Sequence, residues 1–283
     1  MPRKGERSLK YADICESLKC AGIENYAREA AILIEEICGE LSEDKDYVSE
    51  ALFAAVKKRE TRYPLQYIIG KWWLANCEFF VDESTLVPRP DTETVIELAV
   101  KLLPKNVRFA DRCTGSGCIA ISILDLRPDT AADAYELYPK TLEMAKKNAA
   151  HNKVEGRFTP VLGDVLQKKA LGDRRYSAII SNPPYIRTEV IDTLEVEAKT
   201  EPRAALDGGD DGLIFYREIL RRYANALKPN GFFLFEIGYD QADAVTALGN
   251  DAGFDAVRVL RDYGGNDRVV LLQKVVTDAT AKE

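Results

Sequence analysis

The stretch Asn182, Pro183, Pro184 and Tyr185 combines residues that suit one kind of chemistry. A residue before proline adopts extended backbone, and each proline fixes φ and adds a carbonyl acceptor without an N–H donor. The Asn182 side-chain oxygen and the Pro183 carbonyl therefore form a rigid pair of acceptors for a planar NH2 group. Tyr185 adds a flat face that can stack on an amide or a base.

An amide or aromatic NH2 group is a poor nucleophile because its lone pair is delocalised. Two acceptors that hold both N–H bonds can turn this lone pair towards an electrophile. The electrophile must be strong, as the methyl group of a sulfonium is. This chemistry needs no histidine base, and the only histidine, His151, is expected on the surface at a helix end.

Three other predicted strand ends carry residues that suit a nucleoside. Gly115 and Gly117 allow a tight turn and a close approach of backbone to ligand, just before a helix N-terminus. Glu136 follows about twenty residues later and can accept both hydroxyl groups of a ribose. Asp164 can accept a hydrogen bond from an adenine amino group, with Val165 against the ring.

These strand ends fit both NAD and S-adenosylmethionine as the cofactor. A nucleoside triphosphate is not expected, because the glycine-rich turn lacks the Lys-Ser or Lys-Thr pair of a P-loop. The pair of acceptors after the fourth strand favours S-adenosylmethionine, whose sulfonium supplies the strong electrophile. We therefore predict a site for S-adenosylmethionine and for a substrate NH2 group.

Short apolar runs alternate with helical patterns from residue 107 onwards. This alternation predicts an α/β fold with a doubly wound, mostly parallel sheet, in which ligands bind beyond the carboxyl ends of the strands. The last two runs are separated only by the turn RDYGGN, so they are expected to pair antiparallel. The predicted strands are VRFAD, AADAYE, FTPVL, YSAIIS, GFFLFEI, DAVRVL and DRVVLLQK.

Helical periodicity dominates the start of the chain and predicts a small helical bundle. Two aromatic and β-branched runs around LAN then predict a β-hairpin over residues 71–80. The predicted domains are a helical domain over residues 1–70, a linking β-hairpin segment over residues 71–88 and the α/β domain over residues 89–283.

Composition narrows the possible partners. The sequence has 39 Lys and Arg against 46 Asp and Glu, a net charge of −7, so no broad basic surface for a nucleic-acid backbone is predicted. The basic run KKRETR at residues 57–62 is expected to be a solvated helix end. The six cysteines form no CxxC pair, which indicates reduced thiols rather than a metal site. No signal peptide or membrane span is predicted, which favours the cytoplasm.

Six segments of the sequence resemble the motifs of one family. They are PLQYIIG, LVPRPDTE, SNPPYI, EPRAALDGGDDGL, FEIGYDQ and GGNDRVV, and they follow the family's order from Arg59 to the end of the chain. SNPPYI by itself is typical of amino-methyltransferases that use S-adenosylmethionine. Together, the segments make the chain similar to the HemK-type release-factor glutamine methyltransferases.

This resemblance implies a fold, a reaction and a partner. The implied fold is a helical N-terminal domain that docks on the release factor, a linking β-hairpin and a seven-stranded, Rossmann-like class I methyltransferase domain. The implied reaction moves a methyl group from S-adenosylmethionine to the side-chain amide nitrogen (N5) of the glutamine in the Gly-Gly-Gln loop of peptide chain release factors.

The resemblance also assigns roles to residues that match the family's motifs. The implied cofactor-binding residues are Cys113, Thr114, Gly115, Ser116, Gly117, Glu136, Asp164, Val165 and Asn182. The implied substrate-binding residues are Asn182, Pro183, Pro184 and Tyr185, and Asn182, Pro183 and Tyr185 are the implied catalytic residues. Three positions depart from the family's pattern: Arg112 replaces an apolar residue, Cys113 replaces glycine, and Glu136 replaces the more frequent aspartate.

Three other functions share part of this pattern. A sister group methylates a glutamine of a ribosomal protein and carries NPPY, but differs from the Pro-acid-Thr-Glu run at residues 90–93. Adenine-N6 methyltransferases of DNA or RNA also carry NPPY, but need a surface rich in Lys and Arg. A non-catalytic relic that only docks on a release factor would not need the intact NPPY. The release-factor interpretation is therefore preferred.

Overall fold

The computed structural model describes residues 8–167, 174–254 and 256–273. The chain divides into two compact units. One unit holds the chain up to Lys71 together with Leu194–Thr200, and the other holds Trp72–Thr193 and the chain from Glu201 onwards. The predicted strand ends at Asp255 and Lys274 lie outside the described residues.

The first unit is a bundle of helices. It contains α1 (Tyr11–Cys20), α2 (Tyr26–Cys38), α3 (Glu50–Glu60) and α4 (Leu65–Ile69), together with the short helix α9 (Val196–Thr200) from the middle of the chain. Apolar side chains three and four residues apart face the interior of the bundle, because this spacing places them on one side of a helix. Those buried include Ile14, Leu18, Leu33, Ile34 and Leu52.

The basic run at residues 57–62 ends α3, and only part of it is solvated as the sequence predicts: Lys57 and Lys58 are exposed, but Arg59 is buried. Arg59 is only 4% exposed, and its Nε donates a hydrogen bond to Glu29 Oε2 over 2.6 Å. Arg59 Nη1 also donates to Glu197 Oε1 over 3.0 Å, and Arg62 Nε donates to the same oxygen over 2.7 Å. The two arginines therefore fasten α9 to the bundle through charge-assisted hydrogen bonds.

A two-stranded sheet opens the second unit. β1 (Lys71–Leu74) and β2 (Cys77–Phe80) form the hairpin expected from the sequence. Leu74, Cys77 and Phe79 are buried in the main apolar core of this unit. The Asn148 side chain donates to the Phe80 carbonyl over 3.0 Å and accepts from the Phe80 N–H over 2.7 Å, so it holds the edge of the hairpin.

The main sheet has seven strands, as the predicted fold class requires, and that prediction is confirmed. The strands are β3 (Arg108–Arg112), β4 (Ala131–Glu136), β5 (Phe158–Leu162), β6 (Tyr176–Ser181), β7 (Leu227–Glu236), β8 (Ala256–Arg261) and β9 (Asp267–Gln273). Their order is β5-β4-β3-β6-β7-β9-β8, with β9 antiparallel to both of its neighbours and the other pairs parallel. Successive strands are added on one side of β3 up to β5 and on its other side from β6 onwards. Open α/β sheets bind ligands at the point where this direction reverses, here between β3 and β6.

Helices cover both faces of this sheet. α5 (Glu93–Leu102), α6 (Cys118–Leu126) and α7 (Pro139–His151) bury their apolar sides in one cluster. α10 (Ile214–Tyr223) and α11 (Ala242–Asp251) do so in a second cluster on the other face, and α8 (Thr188–Ile191) follows the NPPY stretch. No helix among the described residues has the length and apolar composition needed to cross a membrane.

Candidate active site

A cavity of about 270 Å³ lies at the carboxyl ends of β3, β4, β5 and β6. Of the predicted site residues, those that line it are Cys113, Thr114, Gly115, Ser116, Glu136, Asp164, Val165, Asn182 and Pro184. Gly117, Pro183 and Tyr185 are not among the lining residues. The structure therefore brings most of the predicted nucleoside-binding residues and two residues of the NPPY stretch, Asn182 and Pro184, into one cavity of the second unit.

The turn after β3 is held by the side chains of two acids. Thr114 Oγ1 donates a hydrogen bond to Asp111 Oδ2 over 2.6 Å, and the Gly115 N–H donates to Glu136 Oε2 over 3.0 Å. Cys113 has a left-handed φ of 58°, a conformation that favours glycine, and Gly115 has one of 57°. The turn thus folds back with its backbone towards the cavity.

A side chain would meet different surroundings at the two glycines of this turn. A Cβ added at Gly115 would meet nothing within 4 Å, so this position faces open space. A Cβ added at Gly117 would lie 2.7 Å from Ile121 Cδ1 and 3.4 Å from Ala145 Cβ. Gly117 also has a left-handed φ of 85°, which favours glycine, and a side chain there would press on the end of Ile121 at the start of α6.

Glu136 ends β4 with its carboxylate bound to backbone. Its Oε1 accepts hydrogen bonds from the N–H groups of Leu137 over 2.8 Å and Tyr138 over 3.1 Å. Burial raises the pKa of Glu136, and these backbone donors, with that of Gly115, act in the opposite direction. The carboxylate is fixed in the cavity wall and retains one lone-pair site, on Oε2, for a further donor.

The residues after β5 form the opposite part of the wall. Asp164 Oδ1 accepts from the Leu166 N–H over 2.8 Å, and Val165 is buried. The Tyr223 hydroxyl donates to the Val165 carbonyl over 2.9 Å and fixes this turn. Arg112, which departs from the family's pattern, contacts the same Tyr223. Its guanidinium lies 4.1 Å from the Tyr223 ring centroid and 3.6 Å from that of Tyr135. Arg112 does not line the cavity.

The NPPY backbone is clamped by the segment that carries the EPRAALDGGDDGL motif. The Ile186 N–H donates to the Leu206 carbonyl over 2.9 Å, and the Gly208 N–H donates to the Ile186 carbonyl over 2.8 Å. A Cβ at Gly208 would lie 2.8 Å from Tyr185 Cα, and one at Gly212 would lie 2.4 Å from the Tyr185 carbonyl oxygen. Only glycine permits these approaches, so the segment fixes the backbone that follows Asn182.

Two residues next to the predicted site were not predicted from the sequence as site residues. Glu236, at the end of β7, is 1% exposed and lies next to Asn182, because β6 and β7 pair in parallel with Ser181 opposite Phe235. Thr92 Oγ1 donates to Glu236 Oε2 over 2.7 Å, and Thr92 also lines the cavity. Burial raises the pKa of Glu236 to about 7. The signal that could have identified Glu236 is an acid at the end of an otherwise apolar strand.

A second unpredicted contact joins two of the sequence motifs. The buried Glu201, in EPRAAL, accepts from the Val87 N–H over 2.8 Å and forms an ion pair with Arg89, both in LVPRP. Burial raises the pKa of Glu201, and Arg89 opposes that shift. Val87 and Pro202 both line the cavity, so this contact shapes the wall beside Asn182.

Known proteins with similar sequences now place the chain in a family. The profile described as "Methyltransferase small domain" matches residues 91–202. The release factor glutamine methyltransferase of Caulobacter vibrioides is 37% identical over 90% of this chain and 92% of its own length. That of Geobacter sulfurreducens is 36% identical over 88% of this chain and 90% of its own.

This chain belongs to the release factor glutamine methyltransferase family. Membership confirms the predicted family and the prediction that the chain is a methyltransferase enzyme. A solved methyltransferase from Pyrococcus furiosus shares the fold, with a TM-score of 0.54 and 15% identity over 71% of this chain and 90% of that one. Among the described residues, no cluster of His, Cys, Asp and Glu has the arrangement of a metal site.

Proposed function

We propose that the protein transfers a methyl group from S-adenosylmethionine to the side-chain amide nitrogen of the glutamine in the Gly-Gly-Gln loop of peptide chain release factors. The observation that carries the proposal is that Asn182 lines the same cavity as Glu136 and Asp164. A group held by Asn182 would therefore be next to a ligand held by the two acids. The family of the chain supports the same substrate.

The cavity fits S-adenosylmethionine. Residues 113–117 would hold its amino-acid end, Glu136 its ribose hydroxyls, and Asp164 with Val165 its adenine. The cavity is lined both by the turn after β3 and by Asn182 and Pro184, and its wall combines acids with apolar residues such as Leu137 and Phe215. When bound, the cofactor would supply a methyl group on its sulfonium. The S–CH3 bond would break as the amide nitrogen bonds to the methyl carbon, its electron pair would return to sulfur to leave a neutral thioether, and the nitrogen would release one N–H proton to solvent.

The NPPY stretch would hold the glutamine amide. The Asn182 side-chain oxygen and the Pro183 carbonyl would accept its two N–H bonds, which turns the nitrogen lone pair towards the cofactor. Pro184 and Tyr185 would pack against the amide plane. Because the backbone after Asn182 is clamped, these acceptors keep their positions while the bond forms.

The helical domain predicted over residues 1–70 would dock on the release factor, and the β-hairpin segment over residues 71–88 would link it to the methyltransferase domain over residues 89–283. A loop glutamine on a large partner needs more docking surface than the NPPY stretch supplies. Because release factors act in the cytoplasm, this is also where we place the reaction.

The test is mass spectrometry of purified release factor after incubation with the protein and S-adenosylmethionine. We expect one added methyl group on the Gly-Gly-Gln glutamine and none after this glutamine is changed to glutamate, which removes the nucleophilic nitrogen. DNA and RNA serve as competing substrates in parallel reactions. Methylation of nucleic acid at a comparable rate, falling steeply with salt, would instead establish an adenine methyltransferase.

A further inference from the structure

The buried carboxylate of Glu236 lies next to the residue that the proposed chemistry depends on. β6 and β7 are parallel neighbours, and their register pairs Ser181 with Phe235, so Asn182 and Glu236 follow at the same level. The Asn182 side chain is therefore beside the Glu236 carboxylate, and its NH2 group favours the ionised acid. Asn182 is thus the donor in this contact.

The amide of an asparagine side chain ends in an oxygen and an NH2 group, which are similar in size but differ in hydrogen bonding. Its oxygen accepts and its NH2 group donates, and the two can exchange places by rotation about χ2. An ionised carboxylate can only accept, so the NH2 group must turn towards Glu236 and the oxygen must turn away from it. The second donor to Glu236, Thr92 Oγ1 at 2.7 Å, holds the carboxylate in place.

We infer that Glu236 is a positioning residue, which fixes the Asn182 amide with its oxygen directed at the NH2 group of the substrate. This inference rests on the proposed function, because it is the substrate amide that needs an acceptor. Without the carboxylate, Asn182 can present its own NH2 group to the substrate. Two donors would then face each other, and the substrate lone pair would lose its alignment.

The surroundings of Glu236 make this arrangement sensitive to pH. Arg268 favours the ionised form, Asp91 disfavours it, and Tyr185, Tyr216 and Cys118 are the other titratable groups that interact with it. Burial raises the pKa of Glu236 to about 7. Below that pH the carboxyl group carries a proton, becomes a donor, and can hold Asn182 by its oxygen in the flipped orientation.

The first test compares Glu236→Gln with the unaltered protein in single-turnover methylation of release factor from pH 6 to pH 8.5. We expect methyl transfer to slow roughly tenfold to a hundredfold in the variant, because glutamine no longer enforces one orientation. The dissociation constant for S-adenosylmethionine, measured by calorimetry, should stay within twofold. The unaltered protein should lose rate below pH 7, and the variant should not show this loss. Burial also raises the pKa of Asp111 to about 7. Asp111 is present in both proteins, so its titration affects both rate profiles equally.

A second variant moves the pH dependence without removing the acid. Thr92→Val deletes the hydroxyl that stabilises ionised Glu236, so the pKa of Glu236 should rise and the midpoint of the rate profile should move to higher pH. A purely structural role for Glu236 predicts no such movement. An unchanged midpoint in Thr92→Val, or an unchanged rate and profile in Glu236→Gln, would overturn the inference.

The third measurement does not depend on activity. The side-chain NH2 signals of Asn182, assigned in nuclear magnetic resonance spectra by their loss in Asn182→Asp, should shift between pH 6 and pH 8 as Glu236 ionises. If the protein does not methylate release factor, the proposed function fails, and this titration decides the positioning of Asn182 by itself. Signals that do not respond to pH over this range would contradict the contact.

Discussion

Asn182 is proposed to contribute one of the two acceptors for the substrate amide, and its truncation tests the proposed chemistry most directly. Asn182→Ala removes this acceptor and leaves the Pro183 carbonyl. Loss of one preorganised hydrogen-bonding group slows the chemical step by about a hundredfold to a thousandfold, and methyl transfer should fall by that order. The measurement is single-turnover methylation of release factor. Asn250→Ala, on the exposed side of α11, is the control and should turn over normally; near-normal turnover in Asn182→Ala would contradict the role.

Asp111 gives a prediction about stability and pH. Burial raises the pKa of this carboxyl group to about 7, so the folded chain holds the proton more tightly than the unfolded chain does. Stability from this group is therefore present below about pH 4 and is lost as the pH rises through about 7. Asp111→Asn keeps an oxygen for the Thr114 hydroxyl and cannot ionise. Its melting temperature should exceed that of the unaltered protein by more at pH 8 than at pH 5; an equal difference at both would contradict the assignment.

At the residue scale the sequence predicts cavity-lining side chains well where they end or follow a strand, as at Glu136 and Asp164. It does not predict why a glycine is present. Gly115 and Gly117 are equivalent in the pattern, but only α6 and α7, once packed, make Gly117 a contact for Ile121. Glu236 was missed for a similar reason, because its partner Thr92 lies 144 residues away and meets it only in the folded sheet.

The elements around the NPPY stretch act as a clamp, and one glycine of the clamp can be tested. In Gly208→Ala the new methyl group would press on backbone, at 2.8 Å from Tyr185 Cα and 2.9 Å from the Pro184 carbonyl oxygen. Backbone cannot rotate away, so the acceptors should move by a few tenths of an ångström or more. We expect methyl transfer to slow roughly tenfold or more, with the affinity for S-adenosylmethionine unchanged.

Gly156→Ala is the matched control for this prediction, because an added Cβ there meets nothing within 4 Å. It should methylate release factor at the unaltered rate. Stopped-flow or quenched-flow transfer rates and calorimetric binding of the cofactor separate the two steps. A normal transfer rate in Gly208→Ala would mean that the clamp does not set the position of the acceptors.

The strands and helices themselves follow from the sequence because their apolar spacing is regular over several residues. The antiparallel pairing of β8 with β9 was predictable, since only a short turn separates them. The hydrogen bonds between separate sequence motifs were not predictable from the sequence. Arg89 and Glu201 both stand in segments that resemble family motifs, yet their ion pair brings together residues 112 positions apart.

The whole molecule consists of two units, and α9 belongs to the first although its neighbours in sequence belong to the second. Glu197 connects it to the bundle through Arg59 and Arg62. Glu197→Gln keeps the shape but weakens these charge-assisted hydrogen bonds, which should destabilise the bundle by about 1 kcal/mol. Hydrogen exchange should become faster in α3 and unchanged in β3, β4 and β6.

Glu195→Gln is the control, because its side chain is 81% exposed and its ion pair with Arg62 spans 3.3 Å. Exposed pairs of this kind contribute little, so exchange in α3 should stay as it was. Equal exchange rates in both variants would show that Glu197 does not stabilise the bundle. The sequence could not predict this role, because residues 194–200 are a short segment in which Leu194, Val196 and Ala198 alternate with polar residues, which is not the apolar spacing of a helix.

The membership of α9 in the bundle also limits how this protein can be divided. The helical unit is made from two separate stretches of chain, so no single junction removes it whole. A cut at Lys71 takes away Arg59 and Arg62 and leaves Glu197 behind without its partners. A chimera that exchanges the bundle for that of a relative must therefore exchange two stretches together. These are the residues up to 71 and residues 194–200.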